Sequence, residues 1–233
     1  MEEIRTKGIV IDTQDYKEYD KIITILTYDM GVIKAVVKGV KRNTAKSRFA
    51  GQMFCFLDLI LSKKGIYYTV ISSDLIESFF EIAYKYESFL LAVDIVKVIK
   101  FVSKYHPDSS ELFVIFISIL NVLLISETDL NIVYLKFLYE TLKVLGFNHT
   151  FAKCDKCGSD IVNEAYLDTI MGGVVCNECK KKYSDKLLKH ELVIIKSIAE
   201  TEYSKLSTLN FEKEVSIKLL KFVQMLFKIN CNQ

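Results

Sequence analysis

The sequence is short of several things that would have classified it at once. Its formal net charge is only +2 over 233 residues, so a polyanion could be held only by basic residues concentrated in one place. The start, Met1-Glu2-Glu3-Ile4-Arg5, puts two acids where an export signal carries bases and then an apolar stretch, which predicts a cytosolic protein. The most apolar run, Leu112 to Ile125, is interrupted by Ser118 and Asn121 and is shorter than the ~20 residues a membrane span requires, so it reads as a buried helix. The three histidines, His106, His149 and His190, are scattered and suggest no catalytic grouping. Lys46-Ser47 resembles the end of a phosphate-binding P-loop, but Val40 and Ala45 stand where glycines are required, so nucleotide hydrolysis has no support. No internal repeat or low-complexity linker is evident. Disorder is excluded by a 51% hydrophobic content, enough to fill a core.

What is present changes character along the chain. From Ile4 to about Ile76 there are short β-branched runs. Ile22 to Thr27 and Val32 to Lys38 are joined by Tyr28-Asp29-Met30-Gly31. Met53 to Leu61 and Ile66 to Ile71 are joined by Ser62-Lys63-Lys64-Gly65. This predicts a small closed barrel of the OB type, with an SH3-like barrel as the near-equivalent reading. From about Phe79 apolar residues recur at helical spacing. Leu91, Ile95, Val98 and Val102 form one stripe, the single proline, Pro107, breaks the pattern, and a second helix is expected from Ser109 or Ser110. Asp129 can cap a third, with Leu130, Val133, Tyr134, Phe137, Leu138, Leu142 and Leu145 on one face and Gly146 at its end. Two more are expected at Leu187 to Ala199 and through Val215, Leu219, Phe222, Leu226 and Ile229. The predicted class is α+β: an N-terminal OB-fold barrel, residues 1–78, then an all-α domain, residues 79–233, with a four-cysteine zinc site inserted at about 150–183.

The six cysteines belong to a reducing compartment, where paired thiols bind metal more often than they form disulfides. Cys154 and Cys157, then Cys176 and Cys179, form two pairs of two-residue gap separated by residues 158–175. That spacing suits a tetrahedral site holding one structural Zn2+, in competition with a redox dithiol, an iron–sulfur cluster or plain burial. Four thiolates leave no open position, so such a metal fixes shape and does not activate water. Cys55 and Cys231 are unpaired and receive no role.

Between Met30 and Leu57 there is no Asp or Glu, whereas Lys34, Lys38, Lys41, Arg42, Lys46 and Arg48 all fall inside that segment. Alternation puts Lys34 and Lys38 on one side of a strand. A basic loop of this kind suits phosphate, with a merely solvated face as the competing reading. Phe49, Phe54, Phe56 and Tyr68 are either stacking surfaces for bases or ordinary barrel core, and the core reading is favoured. Two other classes compete: an enzyme processing nucleic acid through an unrecognised site, and a zinc-containing scaffold that binds only proteins.

In order along the chain, Gly8-Ile9-Val10-Ile11, Tyr19-Asp20-Lys21-Ile22-Ile23-Thr24-Ile25-Leu26-Thr27, Gly31-Val32-Ile33-Lys34-Ala35, Lys38-Gly39-Val40-Lys41-Arg42 and the cysteine pairs resemble the bacterial recombination mediator RecO family. The resemblance implies an OB-fold, a helical domain carrying the zinc site, and no enzymatic turnover. It further implies binding of single- and double-stranded DNA, annealing of complementary strands, and help to RecR in loading a recombinase onto DNA covered by single-stranded-DNA-binding protein. The C-terminal tail of that covering protein is an implied partner, a membrane is not, and the implied location is the cytoplasm at the nucleoid.

Overall fold

A computed structural model describes residues 2–42, 48–65, 67–106, 110–125, 127–181 and 184–231. Five strands open the chain: β1 (Glu2–Tyr16), β2 (Asp20–Thr27), β3 (Val32–Val37), β4 (Cys55–Lys64) and β5 (Tyr67–Ser78). They close into a barrel in the order β1-β2-β3-β5-β4, with β4 returning to β1. The β3–β5 contact is parallel, at Ala35↔Tyr68 and Val36↔Thr69, and every other pairing is antiparallel. The strand order β1-β2-β3-β5-β4 with a parallel β3–β5 contact is that of the OB-type barrel rather than the SH3-like one.

Alternation produces the barrel's two faces. Cys55, Leu57, Leu59 and Leu61 of β4 point inward with Ile33, Ala35 and Val37 of β3, while Lys34 points out. A 3₁₀ turn, Arg48–Gly51, adds Ala50 to this core together with Val40.

By contact the chain groups into two compact units, Met1–Ile125 and Ser126–Gln233. The first includes α1 (Tyr86–Val102) and α2 (Ser110–Ile125) as well as the barrel. Aromatic side chains explain this grouping: Phe54 lies edge-on to Phe89 of α1 and Phe116 of α2, and Phe56 and Tyr28 each lie edge-on to Phe113 of α2. Such pairs contribute about 0.5–1.5 kcal/mol each beyond the area they bury. Lys100 of α1 also reaches Asp12 of β1 at 2.6 Å. Within α2, Ser118 and Asn121 donate back to the carbonyls of Val114 and Ile117, so neither breaks the helix. Among the described residues no helix is long and apolar enough to cross a membrane.

The second unit holds α3 (Leu130–Val144), the short strands β6 (Glu164–Asp168), β7 (Gly173–Val175) and β8 (Lys186–Leu188), α4 (Lys189–Glu200) and α5 (Lys213–Cys231). Asp129 caps α3 by accepting from the Asn131 N–H, and Gly146 follows its end at φ +90°, a left-handed position glycine takes without strain. Ser216 of α5 donates to the other oxygen of Asp129, tying the two helices together. One expected boundary differs: Leu187 belongs to β8, paired with Ala165 of β6, and the helix starts two residues later. The Glu191 carboxylate accepts the Leu188 N–H at 2.8 Å and fixes that start.

Candidate metal centre and nucleic-acid interface

The β6–β7 hairpin brings the cysteine pairs together. Cys154 and Cys157 precede β6, Cys176 and Cys179 follow β7, and the hairpin folds the chain back between them. In the first pair the Gly158 N–H donates to the Cys154 carbonyl at 2.8 Å, and the Cys154 N–H donates to the Ser159 carbonyl at 2.8 Å. Gly158 sits at φ +74°, a conformation a Cβ would strain. In the second pair the Cys179 N–H donates to the Cys176 carbonyl. Asp155 braces the first pair against β7. Its N–H donates to the Val174 carbonyl and its carboxylate accepts the Val174 N–H. The buried His149 places Nδ1 2.8 Å from the same carboxylate, a contact that no local pattern in the sequence announces.

The four sulfur atoms lie within 4.8 Å of one another, with Cys157 Sγ and Cys176 Sγ 3.8 Å apart. A tetrahedron with metal–sulfur bonds of about 2.3 Å has edges of about 3.8 Å, so the donor set fits a thiolate-bound Zn2+ or iron. The Ser159 hydroxyl lies 2.9 Å from Cys157 Sγ and 3.6 Å from Cys176 Sγ. That hydroxyl and the Ser159 N–H pull the Cys157 thiol down to about 6, whereas the neighbouring sulfurs, Cys157 first, push Cys179 up to about 12. Cys55 and Cys231 lie elsewhere, and burial raises both thiols, Cys231 to about 11.

Of the basic residues, Lys34 stands on the outer face of β3, Lys38 follows its end, Lys41 and Arg42 lie in the next turn, and Arg48 opens the 3₁₀ turn; all five are exposed. Lys46 lies outside the described residues. The turn is strapped to the β1–β2 hairpin by two bonds: the Gly39 N–H donates to Asp20 Oδ1 at 2.8 Å and the Lys41 N–H to the Tyr19 carbonyl at 3.1 Å. Lys41 Nζ also reaches Asp15 Oδ2 at 3.1 Å. Among the described residues neither Lys34 nor Lys38 has an acid within ion-pair distance. The sequence left out Tyr16 and Tyr19, which are 40% and 42% exposed beside this turn. Their flanking of Lys17 at a strand end was the available signal.

Phe49 and Tyr68 pack against the barrel interior, as the core reading has it, whereas the fully buried Phe54 and the half-buried Phe56 pack on the rings of α1 and α2 instead of inside the barrel. His106 and His190 are exposed and His149 is buried beside Asp155; no catalytic grouping of histidines forms among the described residues.

The chain matches the family described as "Recombination protein O N terminal" over residues 1–79, and that described as "Recombination protein O C terminal" over residues 86–230. Curated relatives carry the name "DNA repair protein RecO". The protein of Clostridium novyi is 27% identical over 95% of this chain and 86% of its own length. That of Acetivibrio thermocellus is 31% identical over 94% and 87%, and that of Caldicellulosiruptor bescii 25% identical over 98% and 95%.

Proposed function

This chain belongs to the recombination protein O family, and from that premise we propose that it acts in DNA repair by binding single- and double-stranded DNA, annealing complementary strands and assisting recombinase loading. It does so without enzymatic turnover, in the cytoplasm at the nucleoid. Its protein partners in this reading are RecR and the C-terminal tail of single-stranded-DNA-binding protein. The barrel, 1–78, is the DNA-binding module and 79–233 the helical one.

The observation that carries the reading is the display of Lys34, Lys38, Lys41, Arg42 and Arg48 on one small barrel, in a segment without a single acid from Met30 to Leu57. Together with Lys46, these cations hold the sugar-phosphate backbone of one strand and release its counterions. The phosphate repulsion that opposes a second strand then falls, and the bases stay free to pair. The four cysteines hold one Zn2+, which staples the hairpin and has no open position for chemistry.

Fluorescence anisotropy with labelled single and double strands at two salt concentrations tests the binding, and the rate at which complementary strands pair tests the annealing. Affinity that falls with salt and faster pairing support the reading. Absence of binding at low salt rejects it, and cleavage or joining of the strands replaces it with a nucleic-acid-processing enzyme.

A further inference from the structure

Three cations lie against aromatic rings around the turn that follows β3. The Arg42 guanidinium carbon is 5.0 Å from the Tyr19 ring centre, that of Arg48 is 5.0 Å from Phe49, and Lys17 Nζ is 5.2 Å from Tyr16. Phe49 is half-buried in the barrel, but Tyr16 and Tyr19 keep 40% and 42% of their surface open to solvent. The backbone that carries Tyr19 is held by the turn. The Tyr19 carbonyl accepts the Lys41 N–H, and the next residue, Asp20, accepts the Gly39 N–H and begins β2.

A planar guanidinium beside an exposed phenol ring presents flat surface to solvent. Phosphate needs only the charge, which lysine supplies as well, whereas a base has a flat face that stacks on an aromatic ring or on a guanidinium plane. The hairpin's acids do not prevent this: Asp15 is engaged by Lys41 and Asp20 by the Gly39 N–H, which leaves Glu18 facing solvent.

We infer that Tyr19 and Arg42 form a stacking platform for an unpaired base, so that this rim of the barrel prefers single-stranded over double-stranded DNA. The inference rests on the nucleic-acid reading above and adds to it a base-reading component on the β1–β2 hairpin. Lys34 and Lys38 grip phosphates in either form of DNA. The Arg42 charge serves phosphates in the same way, but its plane and the Tyr19 ring add a contact that only a base that has left its stack can make, because the faces of paired bases are covered by their neighbours.

The test compares three probes of equal length: oligothymidylate, the same strand made abasic, and a duplex. Tyr19→Leu removes the ring but keeps bulk, and Arg42→Lys keeps the charge but removes the plane. Each should bind oligothymidylate about tenfold more weakly, a loss typical of one stacked base, with little change for the abasic strand or the duplex. Equal losses on all three probes, or no loss on oligothymidylate, overturn the inference while leaving the charge-based reading intact. The double variant Lys34→Glu, Lys38→Glu is the separate control, since unchanged affinity there for every probe strikes at the nucleic-acid reading itself. Circular dichroism melting of each variant confirms that the barrel is folded.

Discussion

Lys41 reaches across 26 positions to hold Asp15, Nζ to Oδ2 at 3.1 Å, so part of the positive charge that the sequence concentrates after β3 is answered by an acid from the β1–β2 hairpin. Both partners are exposed or half-exposed, and such a pair contributes little to stability. Its consequence lies in the field a polyanion would meet.

The basic residues should therefore not be equivalent. Lys34→Glu and Lys38→Glu should each weaken DNA binding and lower the salt slope by about 1. Asp15→Asn should do the opposite by freeing Lys41. Anisotropy titrations across a salt series measure both, and an Asp15→Asn protein that binds DNA more weakly would contradict the account.

Replacing Cys154 and Cys176 together with serine should take bound metal from about one equivalent to none and lower the melting temperature in the same protein. Elemental analysis beside thermal melting checks this. Metal-free native protein that melts normally would remove the staple from the description.

Asp168, almost fully buried, accepts from the N–H groups of Ile170 and Met171 and from Lys181 Nζ at 2.9 Å. Burial alone would raise its carboxyl, but Lys181 and the two amides outweigh burial and hold it below the ordinary range. A depressed carboxylate stabilises the fold above its unfolded pKa of about 3.9, and that contribution disappears as pH falls through the lower folded value. Asp168→Asn should cost about 1–3 kcal/mol at pH 7. The gap between native and variant in urea denaturation should narrow as the solution is acidified; a gap independent of pH would count against it.

Phe54 sits at φ +62° with its ring between Phe89 and Phe116. Phe54→Ala should cost about 3–5 kcal/mol, as for a large buried ring. Phe54→Leu should be milder and, per folded molecule, should leave DNA affinity unchanged. A selective loss of single-strand binding in the leucine variant would mean the ring does contact bases.

The barrel was legible because alternation survives in single strands: Cys55, Leu57, Leu59 and Leu61 show it without knowledge of any partner. The helices were legible for the same reason, and Asp129 and Gly146 marked the ends of α3. The metal centre could be read from the spacing of the cysteines, since two residues between thiols is a local geometric requirement. The strand β8 was not: its three residues, Lys186–Leu188, carry no period of their own and are a strand only because β6 lies beside them.

The sequence by itself determined which residues face inward, where the helices are capped, and that four thiols can meet, because each depends on separations of a few residues. Only the tertiary structure decided that Phe54 joins the barrel to α1 and α2, that His149 meets Asp155, and that Asp15 and Tyr19 stand beside Lys41 and Arg42. Those meetings depend on how the barrel closes and on the rings and charges gathered around each side chain. Such an environment is a property of the folded chain, which no local pattern encodes.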